Sequence, residues 1–152
     1  MSKISTIHDG IVSLIQTELP TYAQLPNPYA LELNNELYLT KGFGVAVAAA
    51  QRTDRTLSCQ FSWEREFQIV LTNQVTATDH DITARQTITK AMLEDHYALA
   101  HEIEKTALLS GVAVNFRIVS DSGLQFLELG ERGRYFILVI STLAEYFEDF
   151  TT

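Results

Sequence analysis

Cysteine is almost missing from this 152-residue chain: Cys59 stands alone, so no disulfide can form within it. That fits a chain made in a reducing compartment, or one whose core needs no staple. Basic residues are also few, 11 against 19 acidic ones, and the formal net charge is −8. Gripping DNA or anionic lipid takes clustered Lys and Arg, so this balance argues against either as a bound partner. Long apolar runs are lacking too: the longest, Val45 to Ala50, is far below the roughly 18 residues of a membrane span. Residues Met1 to Thr6 hold neither the apolar segment nor the small-residue cleavage site of a signal peptide. The expectation is a soluble protein, cytosolic at synthesis. Proline occurs only at 20, 26 and 28, which makes residues 20–30 a stiff extended strap, since each proline drives its predecessor out of the helical region.

What is present is enough for a core. Hydrophobic residues make up 46% of the chain, with eight Phe, six Tyr and one Trp, which excludes disorder. The length suits one domain, spanning 1–152, that buries about two-thirds of its unfolded surface.

The periodicity changes along the chain. Ile4, Ile7, Ile11, Leu14, Ile15 and Leu19 recur at helical spacing, with Ser5, His8, Asp9, Ser13, Gln16 and Glu18 between them, and predict an amphipathic helix ended by Pro20. From Leu37 the period is two. Leu37, Leu39, Phe43, Val45, Val47 and Ala49 share one face; after Gln51 to Arg55 the alternation resumes with Leu57, Cys59, Phe61, Trp63, Phe67, Ile69 and Leu71, interrupted by Arg65. Ser58, Gln60, Ser62, Glu64, Glu66 and Gln68 point the other way, so the pattern is an antiparallel hairpin with one apolar and one wet face. Residues 56–76 as a straight strand would run about 65–70 Å, against about 40 Å for the diameter of a compact chain of this size. The strand therefore bends, for example near Arg65, or the hairpin at about 37–76 projects and buries its apolar face on another molecule.

Thr83 and Gln86 fit a capping box, and Gly111 a helix stop. Between them Met92, Leu99, Ile103 and Ala107 form an apolar stripe opposite Lys90, Glu94, His101 and Lys105. Three strands follow: 112–119 and 124–129 around the turn Ser120-Asp121-Ser122-Gly123, then 135–142 after Glu131-Arg132-Gly133. The acidic, aromatic stretch from Glu145 to Phe150 reads as a last strand turn or a docking tail. The order of α, strap, long hairpin, α and β-meander predicts an α+β fold, mainly antiparallel, with two helices packed on one face.

Chemical candidates are sparse. His101-Glu102 has the start of a zinc-protease helix, but Lys105 occupies the position of the second histidine. His96 and His101 are five apart, about 140° around a helix, too far to clamp one metal. His96 reads instead as a half-buried core histidine. Asp79-His80-Asp81 holds the atoms for acid–base work or a weak cation site, yet its place before a helix favours capping. Cys59, beside Phe61 and far from any base, reads as core. Gly42 and Gly44 lack the Gly-Lys-Ser/Thr ending of a phosphate loop and read as a bulge or a close backbone contact. No catalytic, cofactor or metal set converges. Arg52 and Arg55, with Asp54 between, crowd one turn, and Arg132 and Arg134 another; as exposed charges they are solvated, or they dock acidic surfaces of a partner subunit. Together with Arg65 these six are the candidate interface residues.

Several spans taken together resemble the tail-terminator (neck) proteins of long-tailed bacteriophages. They are the opening helix with the strap Gln24-Leu25-Pro26-Asn27-Pro28-Tyr29-Ala30, the long hairpin before one long helix, Leu108 to Val114, and Glu131 to Leu138. The resemblance implies a structural virion protein, assembled in the host cytoplasm, that forms a ring, commonly a hexamer. The ring caps the tail tube, stops its growth and presents the surface that joins the head connector. Its partners would be other copies of itself, the tail-tube protein and the connector, with DNA passing through unbound and no cofactor. Its assembly surfaces would map onto 37–76 and Arg134 to Thr142. A neighbouring neck, tail-completion or tail-tube protein, a non-viral oligomeric binding module, and an enzyme built around Asp79, His80 and Asp81 stay open as alternatives.

Overall fold

The computed structural model describes residues 2–25, 41–57, 60–75, 82–106, 111–128 and 133–149. Among them two helices cover one face of a mainly antiparallel sheet, so the fold is α+β as expected. Helix α1 (Lys3–Glu18) starts at Ser2, whose hydroxyl accepts from the Ser5 N–H, an N-cap that satisfies an otherwise orphaned donor. Ile7, Ile11 and Ile15 are fully buried on its inner face. The structure corrects one position: His8, expected among the polar residues, is buried, and its Nε2 lies 2.9 Å from the Val45 carbonyl oxygen. Since a carbonyl only accepts, Nε2 carries the proton.

The strands are β1 (Ala23–Gln24), β2 (Lys41–Leu57), β3 (Gln60–Val75), β4 (Asn115–Asp121), β5 (Gln125–Glu128) and β6 (Arg134–Asp149). They lie in the order β1-β2-β3-β6-β4, with β5 also on β6. Among the described residues only β1 and β2 pair in parallel. The hairpin expected from the alternation is β2–β3, and its second strand is flanked along its whole length: Gln60 faces Asp149 and Val75 faces Arg134 with no break in register. The acidic, aromatic stretch after Thr142 is thus a continuation of strand as far as Asp149. Phe43, Val45, Phe67, Ile69, Leu71, Leu138 and Ile140 turn toward the helices and form the main core with Ile7, Ile11, Ile15, Met92, Leu99 and Ile103. The opposite face is wet only in part, because Val70, Tyr135 and Ile137 make a second, smaller buried cluster there.

Two expected turns are not turns. Gln51 to Arg55 belong to β2, whose register on β3 shifts between Val47 and Ala50 and again between Arg52 and Thr56. The first shift adds one residue to β2 and the second two; such irregularities bend a strand and raise its twist, and so let β2 run past the charged segment instead of reversing there. Ser120 to Gly123 do not return the chain either. β4 and β5 both lie antiparallel to β6, one after the other along the same edge. Between them the Asp121 side chain accepts from Gly123 N–H at 2.8 Å. Ser122 donates its N–H to Val139 O and accepts from Val139 N–H through its hydroxyl. The strand is kinked but never leaves its neighbour, and Gly123 takes the left-handed φ of 68° that the kink requires.

Helix α2 (Ile82–Lys105) begins before Thr83, which excludes the expected capping box, and it ends short of Gly111. Pro26 and Pro28 of the strap, Leu37, Leu39, Cys59, Asp79-His80-Asp81, Ala107 and Arg132 lie outside the described residues. The elements are locked together by Tyr22. Its hydroxyl donates to Asp95 of α2 at 2.8 Å and accepts from the Asn73 side chain of β3 at 2.9 Å. Burial, more than the hydrogen bond to Asp95, pushes the Tyr22 phenol well above its usual pKa of 10.0, against a lowering by Asn73. The folded state therefore favours the protonated phenol, and this contribution is complete below pH 10 and lost as pH rises above it. Tyr22→Phe leaves Asn73 short of a partner and should cost about 1–3 kcal/mol in urea unfolding at neutral pH. The wild-type should also lose more stability than the variant between about pH 10 and 11, which the same titration measures.

Candidate assembly surface

The sheet outreaches its helices. Sixteen residues of β3 span about 53 Å, whereas the sixteen residues of α1 span about 24 Å. The far ends of β2, β3 and β6 form a three-stranded tongue, and its helix-side face carries Trp63, Phe61 and Arg52. Phe61 meets Trp63 edge-on with ring centroids 5.8 Å apart, and the Arg52 guanidinium lies 4.5 Å from the Phe61 ring. All three are at least partly exposed. On the other face Thr53 and Ser62 share a hydroxyl hydrogen bond across the strands.

Arg65, which interrupts the apolar alternation, sits opposite Ala50 beside the first bulge. Its Nη1 donates to the Ala48 carbonyl at 2.9 Å and its Nε to the Tyr146 hydroxyl at 3.2 Å. The bulge turns Ala48 out of the ladder, and the guanidinium takes over the bond its carbonyl loses. Arg65 thus has an internal task at the root of the tongue. Of the other candidate interface residues, Arg52 and Asp54 are exposed in β2 and Arg55 lies in the same strand rather than in a turn. Arg134 opens β6 and pairs with Glu128 at 3.5 Å.

The edges of the sheet are dressed by neighbouring backbone and side chains. On β2 the Phe43 carbonyl accepts from Leu25 N–H at 2.8 Å, and two residues on, the Val45 carbonyl is met by His8. On the opposite edge the Ile118 N–H donates to Glu104 of α2 at 3.3 Å, and His96 lies 3.8 Å from Asp121. Beyond the end of β4, Lys3 reaches across from α1 to the Phe147 carbonyl. Open backbone edges invite strand pairing with other chains, and covering them is how sheet proteins suppress it. None of these caps was legible as such, although Ile4, His8, Ile11 and Ile15 already fall on one helical face.

The sheet face away from the helices is acidic at its distal end. Glu64 and Glu66 line an open depression of about 260 Å³ with Ala49, Ala50, Gln51 and Leu143. A second, of about 170 Å³, continues from Glu66 and Leu143 to Val119, Ser120 and Ser141. Gln68 donates to Glu66 at 3.2 Å. Carboxylates on a broad, open surface repel polyanions without positioning any substrate. Among the described residues no group of three or more His, Cys, Asp or Glu is arranged to hold a metal ion, and no helix is long and apolar enough to cross a membrane. Gly42 and Gly44 lie within β2, where Thr72 donates to the Gly42 carbonyl at 3.2 Å.

No protein-family model matches the sequence, and neither does any curated protein. Among solved structures, a chain from the virion of a native gene transfer agent particle is similar over 91% of this chain and 93% of its own length. At 14% identity and a TM-score of 0.36 the two backbones differ too much for function to be carried across.

Replacing Arg65 by Met keeps the bulk and removes both donors. The Ala48 carbonyl then loses its partner, and we expect about 1–3 kcal/mol of destabilisation. Hydrogen exchange should quicken first at Ala48 to Gln51, where the bulge opens. A uniform quickening over all of β2 would show that Arg65 has no local role.

Proposed function

We propose that this chain is a structural protein of a phage-like virion that acts as a tail terminator. It closes into a ring, commonly of six copies, on the finished tail tube, ends its polymerisation and offers the surface that the head connector joins. The single observation that carries this reading is the tongue. A sheet about twice as long as α1 leaves Phe61, Trp63 and Arg52 at least partly exposed at its far end, and a head-to-tail ring gives every copy a neighbour to complete that face. Arg52, Arg55, Arg132 and Arg134 are its polar contacts with acidic side chains of the next subunit, and Asp54 its contact with a basic one. The carboxylates of Glu64 and Glu66 support a lumen that DNA traverses without adhering.

Native mass spectrometry of the protein alone and mixed with its tail-tube protein tests the reading. A ring on tube ends, with tubes that stop lengthening, is the expected result; a strict monomer in both mixtures overturns it. Arg52→Glu combined with Phe61→Ser should leave thermal unfolding within a few degrees of wild type, since both positions are partly exposed, while abolishing the ring. An unchanged ring in that variant would remove the tongue from the contact.

A further inference from the structure

Helix α2 carries two apolar stripes. Met92, Leu99 and Ile103 form the buried one. At 100° per residue Ile82, Leu93 and Tyr97 fall within about 60° of one another and about a third of a turn away from the first stripe. They are exposed to 74%, 52% and 69%. Scattered apolar side chains on a surface need no explanation, but a row of them along one helix face marks a contact. Tyr97 is held in place by stacking on His101, with ring centroids 6.2 Å apart and planes 10° from parallel.

The charges beside this row are arranged for a copy of the same helix. Lys90 and Glu94 are both exposed on one flank of the stripe, and neither makes an ion pair or hydrogen bond among the described residues. A two-fold axis perpendicular to two antiparallel helices brings like flank against like flank. With Leu93 on the axis, each Lys90 then lies within a turn of the other copy's Glu94. Leu93 is also next to the midpoint of the 24-residue helix, so the apolar contact is centred on Leu93 and Tyr97 of each copy, while Ile82 falls opposite the other copy's Glu104 and lies outside it.

We propose that two copies of this chain associate through α2, antiparallel and about a two-fold axis at Leu93. The contact is separate from ring closure, which is head-to-tail. Where rings form, it joins two of them back to back. Leu93 and Tyr97 together expose roughly a third of the ~800 Å² that one side of a standard interface covers, so the contact is weak and doubling needs high protein concentration.

Sedimentation velocity over a concentration series, with thermal unfolding as the check on folding, decides the matter. The wild-type mass, whether that of a monomer or of a ring, should double as concentration rises. Leu93→Glu should hold it at the undoubled value with unfolding unchanged, because Leu93 is solvent-exposed. Lys90→Glu and Glu94→Lys should each weaken doubling about tenfold, and the double swap should restore it. Failure to double, doubling that survives Leu93→Glu, or a double swap no better than the single ones would overturn the proposal. Doubling without a ring would sink the ring reading and leave this one standing.

Discussion

The central strand β3 pairs with β6 along all sixteen of its residues and with β2 from Gln60 to Asn73, and most of the architecture follows from satisfying it. A buried strand needs a neighbour for each of its backbone donors and acceptors, so β2 and β6 must be nearly as long as β3. Three strands of that length make a sheet longer than α1 can cover. The chain answers in two ways. It bends the outer strand with two bulges and fills the first with Arg65, and it leaves the remaining length as a tongue whose aromatic side chains are only partly covered.

Length creates a second demand at the sheet margins. Three outward-facing backbone groups are taken by helix side chains: Val45 by His8, Phe147 by Lys3 and Ile118 by Glu104. Two of these caps come from α1 and one from α2, so the helices that supply the core also guard the edges. Ser122 does a related job inside the ladder, where its hydroxyl keeps β6 paired while β4 gives way to β5. The protein limits strand pairing where it is unwanted and leaves uncovered the parts that suit other contacts.

The α+β class, both helices, the alternation over Phe43 to Val47 and over Phe61 to Leu71, and the core stripe of α2 were legible because each is a local pattern with its own period. The turns were legible only as composition. Gln51 to Arg55 is charged enough to read as a turn, yet an edge strand also tolerates charge. Ser120 to Gly123 has the residues of a turn and uses them for an Asx turn and a hydroxyl bridge that hold the strand in line. The caps escaped because a single His, Lys or Glu has no periodicity, and what it meets lies many residues away. Arg65 was visible as an interruption and read as a bend in the second strand of the hairpin; β3 runs on without a break, the register shifts lie in β2, and Arg65 reaches across to the Ala48 carbonyl at the first of them.

The pairing of β3 with β6 also sets an order of events during synthesis. β3 is complete at Val75, and the strand that closes its second side ends at Asp149. At ribosomal rates of roughly 5–20 residues per second, that interval lasts on the order of ten seconds. Throughout it the newborn hairpin offers one fully formed, unguarded margin to every identical chain emerging nearby on the same message. The long helix is made in that interval, and its emergence gives the nascent chain apolar surface to bury before the last strand arrives.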